Sequence, residues 1–174
     1  MQYTVLIPGG FKPPHKGHYD YIKFYLDNPD VKEVRLYIGE KQRDSITLEQ
    51  TEAMLYIYGL MDHPKLVYRR ASVREGKKGP YTNPLADCYD YAEVRVMDPV
   101  ALGCSSKDAA YKGRFEKYFE NIRTGIIDAP IFHQQDDLSA TDFRKALLDK
   151  VSIEKFLPEH VNESEVKQLF KTDT

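Results

Sequence analysis

The chain alternates short apolar runs with amphipathic segments five times, and few architectures accommodate that pattern. Residues 3–7 are a run rich in β-branched side chains that stops at Pro8-Gly9-Gly10, and they read as a buried first strand. In residues 17–26, His18, Ile22 and Leu26 recur at helical spacing, and Asp27-Asn28-Pro29 closes the helix. Residues 34–38 are a second strand. Thr47-Leu48-Glu49-Gln50 is a capping-box pattern that opens a helix with Leu48, Met54, Leu55 and Tyr58 on one side and Gly59 at its end. Residues 66–69 are a third strand, and the Lys-, Gly-, Ser- and Pro-rich residues 71–82 are expected to be an exposed, mobile loop. Asn83-Pro84 then starts a helix that should run to about Val94. Residues 100–103 are a fourth strand, and Tyr111, Phe115, Tyr118 and Phe119 mark a helix beginning near Lys107. Residues 129–133 are a fifth strand and residues 141–150 a helix; Asn162 caps a last helix carrying Val166, Leu169 and Phe170. Such alternation predicts an α/β fold, a parallel sheet with helices on both faces and right-handed crossovers. Ligands of such sheets bind beyond the carboxyl ends of the strands, so the loops after Ile7, Ile38, Gly103 and His133 are where chemistry is expected.

A length of 174 residues suits one domain, read here as residues 1–150 with residues 151–174 as a C-terminal helical extension of it. Lys and Arg total 25 against 27 Asp and Glu, a balance that argues against a dedicated nucleic-acid binder. No apolar stretch is long enough to span a bilayer, and the start lacks a basic segment followed by a long apolar run, so neither membrane nor secretion is expected. Two cysteines, Cys88 and Cys104, fit a reducing compartment, and the expected localisation is cytoplasmic.

The first chemical constellation joins the first strand to the first helix: Gly9-Gly10-Phe11-Lys12-Pro13-Pro14-His15-Lys16-Gly17-His18. Two glycines leave the backbone bare, so a charged ligand can approach its amides. Gly17 and His18 stand at a helix start, where free N–H groups and the helix dipole favour anions. His15 and His18, three apart, can face one ligand, and Lys12 and Lys16 add positive charge. His-x-x-His could also be half a metal site, but no Cys, Asp or Glu falls between Met1 and Tyr19 to complete one. The combination suits a polyphosphate.

A loop of this composition directly after a first strand resembles the nucleotidylyltransferase superfamily, which carries a His-x-Gly-His motif at that place; His15, Gly17 and His18 match it. The resemblance implies a Rossmann-like, doubly wound, five-stranded parallel sheet of order 3-2-1-4-5. It implies transfer of a nucleoside monophosphate from a nucleoside triphosphate to a phosphorylated acceptor, with release of pyrophosphate. Class I aminoacyl-tRNA synthetases share a related histidine motif, but this chain is too short for one and lacks a Lys-Met-Ser-Lys-Ser loop.

The second constellation is Leu138-Ser139-Ala140-Thr141-Asp142-Phe143-Arg144. Ser139 with Asp142 three later reads as an ordinary N-cap, yet hydroxyls and free amides at a helix start also bind phosphate. Arg144, one turn in, can return a bidentate fork to the same anion. The segment resembles the Ile-Ser-Ser/Gly-Thr-x-x-Arg signature of the same superfamily, with Ser139, Thr141 and Arg144 matching, Leu138 for Ile, and Ala140 for Ser or Gly. The resemblance covers essentially residues 3–160.

On this basis His15, His18 and Arg144 are the expected catalytic residues, with His18 on the α-phosphate and His15 on the others. Gly9, Gly10, Phe11, Lys12, Gly17, Gly103, Ser105, Asp108, Ser139 and Thr141 are the expected nucleotide-binding residues. Lys41, after the second strand, is the expected acceptor-binding residue, with Arg43 a weaker candidate. Mg²⁺ is expected to arrive on the triphosphate, with no protein ligands of its own. ATP is the favoured nucleotide, because the motif pair followed by Leu157-Pro158-Glu159 is similar to small archaeal-type nicotinamide-nucleotide adenylyltransferases. Cytidylyltransferases carry an Arg-Thr-x-Gly-Ile-Ser-Thr-Thr stretch, and residues 133–137 stand in its place. Cytidylyl transfer to a phosphorylated alcohol and a non-catalytic nucleotide sensor stay open as alternatives. The expected partners are small molecules, with a homo-oligomer open.

Overall fold

The structure is a computed structural model and describes residues 1–135 and 137–171. Asp136, inside the stretch that replaces the cytidylyltransferase motif, and residues 172–174 of the C-terminal extension lie outside the described residues. The elements run β1 (Tyr3–Gly9), α1 (Lys16–Leu26), β2 (Val31–Ile38), α2 (Leu48–Ile57), β3 (Leu66–Arg70), β4 (Val73–Arg74), β5 (Tyr81–Thr82), α3 (Pro84–Val94), β6 (Val100–Leu102), α4 (Ala109–Phe119), α5 (Ala140–Leu148) and α6 (Glu163–Gln168).

The main sheet has four parallel strands in the order β3-β2-β1-β6. Successive side chains of a strand point to opposite faces, and the two cores follow that alternation. Val5, Ile7, Val34, Leu36, Ile38 and Ala101 face one core, shared with Ile22, Leu26, Met54, Leu55, Phe143 and Val166 of the helices α1, α2, α5 and α6. Leu6, Tyr37, Val100 and Leu102 face the other, against Cys88 and Ala92 of α3 and Phe115 and Phe119 of α4. With both faces covered, the central strands β1 and β6 read as nearly continuous apolar runs, as buried parallel strands do, whereas β2 carries Lys32, Glu33 and Arg35 and β3 ends in Arg69 and Arg70.

The helix starts follow the capping chemistry of the sequence. Thr47 and Gln50 exchange side-chain and backbone bonds as a capping box, Asn83 caps α3 with Pro84 inside its first turn, and Asn162 caps α6. Gly59, at φ +82°, closes the end of α2.

Two expectations are corrected. Residues 129–133 are not a strand. The chain from Gly125 to Phe132 follows the outer edge of β6, but it pairs only at two isolated bridges, Val100 with Ile126 and Ser105 with Phe132. Pro130 in the middle has no N–H to give a ladder, and its carbonyl accepts a 2.7 Å hydrogen bond from the Tyr25 hydroxyl instead. The order is therefore 3-2-1-4 in chain order of the parallel strands, with an irregular segment where a fifth would lie. Residues 71–82 are not an unstructured loop: β4 and β5 pair as an antiparallel hairpin. Among the described residues, no helix is long and apolar enough to cross a membrane.

Candidate active site

A cleft of about 720 Å³ opens at the carboxyl ends of β1, β2 and β6. Gly9 and Gly10 leave β1 there, Gly39 follows β2, and Gly103 and Cys104 follow β6. The first turns of α3 and α5 also border the cleft, at Pro84 and Thr141. A smaller hollow of about 300 Å³ adjoins it through shared walls at Gly9, Gly10, Phe11 and Asp108, and contains His15, His18 and Ser139. Helix N-termini carry partial positive charge, so the arrangement surrounds one cavity with anion-seeking backbone.

The histidine loop is held by reciprocal bonds. His15 is the N-cap of α1: its Nδ1 accepts from the Gly17 and His18 amides at 2.9 and 3.4 Å. His18 Nδ1 accepts in return from the His15 amide at 3.1 Å. Two imidazoles thus form a capping box, a role usually taken by hydroxyls and carboxyls. With each Nδ1 an acceptor, the proton of each neutral ring sits on Nε2, which is left as a donor. The rings stack with centroids 3.8 Å apart, and Phe11 meets His18 edge-on at 4.7 Å. Burial, then the positive charge of Lys107, lowers the His15 pKa to about 4. His18 is pushed well below its ordinary value by burial, then by His15 and Lys107. Both rings are neutral N–H donors at neutral pH.

Three glycines have distinct reasons. A Cβ on Gly9 would meet the Phe11 ring at 2.5 Å, and one on Gly103 would meet Val5 at 2.8 Å and Ile7 at 3.0 Å. A Cβ on Gly10 would meet nothing within 4 Å, because that position faces the open cleft. Phe11 adopts φ +48°, a left-handed conformation that costs an ordinary residue about 1–2 kcal/mol. The Thr51 hydroxyl holds it by donating to the Phe11 carbonyl at 2.7 Å.

Lys12 is not the free cation that the sequence suggests. Its side chain is 3% exposed, and its ammonium donates to the Gly10 and Gly39 carbonyls at 2.6 and 2.7 Å, tying the exits of β1 and β2 together. Burial lowers its pKa to about 8. One of its three N–H donors is left for a ligand.

Arg144 reaches the same loop from α5. Its Nη1 donates to the Lys12 carbonyl at 2.8 Å and its Nη2 to the Thr141 hydroxyl at 3.2 Å. Its Nε pairs with the exposed carboxylate of Asp44 at 2.8 Å. The two distant motifs are therefore in contact. Ser139 caps α5 by accepting from the Asp142 amide at 3.1 Å. Ser105 is buried beside Asp108, and both border the histidine hollow. Gly17 lies against His15, where a Cβ would meet the ring at 2.7 Å. Lys41 and Arg43 border the main cleft but not the histidine hollow.

The sequence alone assigns no site role to Lys107, which borders the histidine hollow, or to Thr82, Asn83 and Leu85, which border the cleft beside the hairpin. Asn83 could be read only as a helix cap, because its distance from the cleft depends on a hairpin too short to carry a strand pattern. Among the described residues, no group of three or more His, Cys, Asp and Glu side chains converges as a metal site.

No protein-family model matches the sequence, and no curated protein is similar to it by sequence. Solved structures share the fold. The Plasmodium falciparum nicotinic acid mononucleotide adenylyltransferase, complexed with APC, superposes with a TM-score of 0.68 at 10% identity, over 98% of this chain and 94% of its own. A Vibrio parahaemolyticus protein assigned as a nicotinate-nucleotide adenylyltransferase gives 0.63 at 14% identity, over 98% of this chain and all of its own. The bifunctional NMN adenylyltransferase/ADP ribose pyrophosphatase of Francisella tularensis, complexed with AMP and a Mn ion, gives 0.63 at 17%. This chain covers 98% of itself in that match but spans only about half, 49%, of the bifunctional protein.

Proposed function

We propose that the chain is an adenylyltransferase that moves AMP from ATP to the phosphate of a small acceptor of the nicotinate or nicotinamide mononucleotide type, releasing pyrophosphate. The observation that carries this reading is the contact between two motifs far apart in sequence: Arg144 donates to the carbonyl of Lys12, in the loop whose far end holds the His15–His18 pair. The solved structures that share the fold are named as adenylyltransferases, and adenylyl rather than cytidylyl transfer is favoured on those names. A cleft of about 720 Å³ lies within the range that holds a nucleotide.

An acceptor phosphate oxygen attacks the α-phosphorus in line; the new O–P bond forms as the bond from the α-phosphorus to the bridging oxygen breaks, and pyrophosphate leaves with that electron pair. A phosphomonoester is largely ionised at neutral pH, so the attack requires no general base. Catalysis is then positioning plus stabilisation of charge on the α-phosphate and leaving group. His18 donates from Nε2 to the α-phosphate, and His15 to the neighbouring phosphates. Arg144, Thr141 and the free amides of α5 hold the β- and γ-phosphates, and the bare backbone at Gly10 lets the triphosphate lie close. Gly103, Ser105 and Asp108 flank the nucleoside, and Lys41 meets the acceptor phosphate. Asp108 is the one carboxylate among the described residues lining the cleft and its histidine hollow, so a Mg²⁺ ion would be held chiefly by phosphate oxygens and water beside it. Such an ion supplies charge neutralisation of the triphosphate.

The test is pyrophosphate release with Mg²⁺, four nucleoside triphosphates and a panel of phosphomonoesters that includes both mononucleotides. ATP should give the highest kcat/KM. Replacing His18 by Ala should lower kcat by about 10²–10³, the loss typical of one transition-state donor, with the circular dichroism spectrum unchanged. Nucleotide binding without pyrophosphate from any pair would overturn the reading in favour of a sensor.

A further inference from the structure

A third hollow, of about 840 Å³, lies between the exit of β2 and the β4–β5 hairpin. It shares Lys41 and Thr82 with the main cleft but no residue with the histidine hollow. The main cleft thus adjoins both the histidine hollow and the hairpin hollow, which share no residue with each other.

The hairpin is preformed. Asp87, buried in the first turn of α3, accepts from the Ser72 amide and from the Arg74 guanidinium, both at 2.7 Å; Asp90 takes a second 2.7 Å bond from Arg74. On the other side the Glu40 amide donates to the Thr82 hydroxyl at 3.0 Å. The tip is a turn closed by the Gly79 amide on the Gly76 carbonyl at 3.0 Å, with Gly79 at φ +106°. That turn holds Lys77 and Lys78 on the wall of the hollow, which Lys41 also lines. Among the described residues none of these three ammonium groups has an ion-pair or hydrogen-bond partner, and Glu40 is the one carboxylate on the wall.

We propose that this hollow receives the end of the acceptor remote from its reacting phosphate, and that this end is anionic, a carboxylate being the simplest such group. The inference rests on the adenylyltransferase reading and narrows its acceptor class. With the triphosphate at the histidine end and the acceptor phosphate at Lys41, the rest of the acceptor extends towards the hairpin. With Lys41 given to the acceptor phosphate, Lys77 and Lys78 against the single carboxylate of Glu40 still leave that space an excess of positive charge, which a neutral group leaves uncompensated and an anion satisfies. Solvated lysines attract by charge more than by fixed geometry, so the hollow selects charge rather than one shape.

Nicotinate and nicotinamide mononucleotide differ at one group, carboxylate against carboxamide, and make a matched pair of probes. Calorimetry on the full chain should give the acid a Kd at least about tenfold below that of the amide, the scale of one charge-assisted hydrogen bond. In the K77Q/K78Q double variant the preference should shrink to under about threefold, while the Kd of Mg-ATP stays within about twofold. Equal affinities, no binding of either probe, or a preference untouched by the double substitution would each overturn the inference. Pyrophosphate release on the same samples separates it from the activity. Release with equal binding removes only the anionic-end reading, and selective binding without release from any pair removes the transferase but leaves the hollow's preference standing.

Discussion

At the residue scale the histidine pair couples the site to pH. The His15 pKa falls from the ordinary 6.5 to about 4 on folding, because the ring is buried and lies near the positive charge of Lys107. Above the unfolded value both states are neutral and the native cap is intact. As pH falls below 6.5 the unfolded chain takes up a proton that the native ring refuses, so stability drops until the native ring titrates near 4. At about pH 5 this amounts to about 2 kcal/mol from His15, and His18 adds in the same direction. His15→Asn keeps a capping acceptor but cannot titrate. Urea unfolding at about pH 7.5 and about pH 5 should show the variant losing about 2 kcal/mol less than the parent, and identical pH dependence would remove His15 as the source. Asp44 raises a second point at this scale, since it occupies the Arg144 Nε that a triphosphate would use. Its carboxylate is mostly exposed, so the pair contributes about 0.2–1 kcal/mol. Asp44→Asn tolerates the same φ of +47° and should lower the Kd of Mg-ATP by roughly two- to fivefold. Weaker binding in calorimetry would show instead that Asp44 positions Arg144. The residue types of the two motifs were legible in the chain, because His, Gly, Ser, Thr and Arg declare their chemistry locally. Burial was not: nothing in the sequence distinguishes Lys12, which braces two carbonyls, from Lys41, which is exposed.

At the element scale, the parts that the sequence revealed have strong local signatures. The capping residues Thr47, Asn83, Ser139 and Asn162 all cap where their spacing says they should. The parts it concealed depend on partners far along the chain. Residues 129–133 have strand-like composition, yet Pro130 and the hydrogen bond from Tyr25 leave only bridges. The hairpin strands are two residues each, too short for any alternation to register, and their position is fixed by Asp87 thirteen or more residues away. If Asp87 is the anchor, Asp87→Ala should loosen the hairpin by about 1–3 kcal/mol, the penalty for a lost buried acceptor. Hydrogen exchange should then quicken at the amides of residues 72–82 and remain slow in β1 and β2. Protection unchanged across the hairpin would mean that Asp90 and Thr82 suffice to hold it.

At the scale of the whole molecule, residues beyond α5 are part of what makes the site. Phe143 projects from the buried side of α5 and stacks on Phe156 with centroids 4.8 Å apart and planes 9° from parallel, while the helix's first turn carries Thr141 and Arg144 to the cleft. Ile153, Phe156, Leu157 and Val166 are each at most 5% exposed and belong to the same core as Val5 and Ile7 of β1. Hydrogen bonds lock the segment in place: Gln50 Nε2 donates to the Leu169 carbonyl at 3.0 Å, and the Ile153 amide to Glu163 at 2.6 Å. Each large apolar side chain contributes about 1.5–3 kcal/mol on burial, so these four supply about 6–12 kcal/mol, comparable with the entire stability of an ordinary domain. A chain ending at residue 150 should therefore fail to fold, with no cooperative thermal transition by circular dichroism, whereas the single change Phe156→Ala should cost about 3–5 kcal/mol and leave a foldable protein. In that folded variant the α5 end of the site loses its backing while the histidine loop keeps its own bonds. Its Kd for Mg-ATP should rise more than the shift in its melting temperature alone accounts for at a temperature where it is fully folded. A truncated chain that melts cooperatively would show that α5 is held by the sheet without the C-terminal segment.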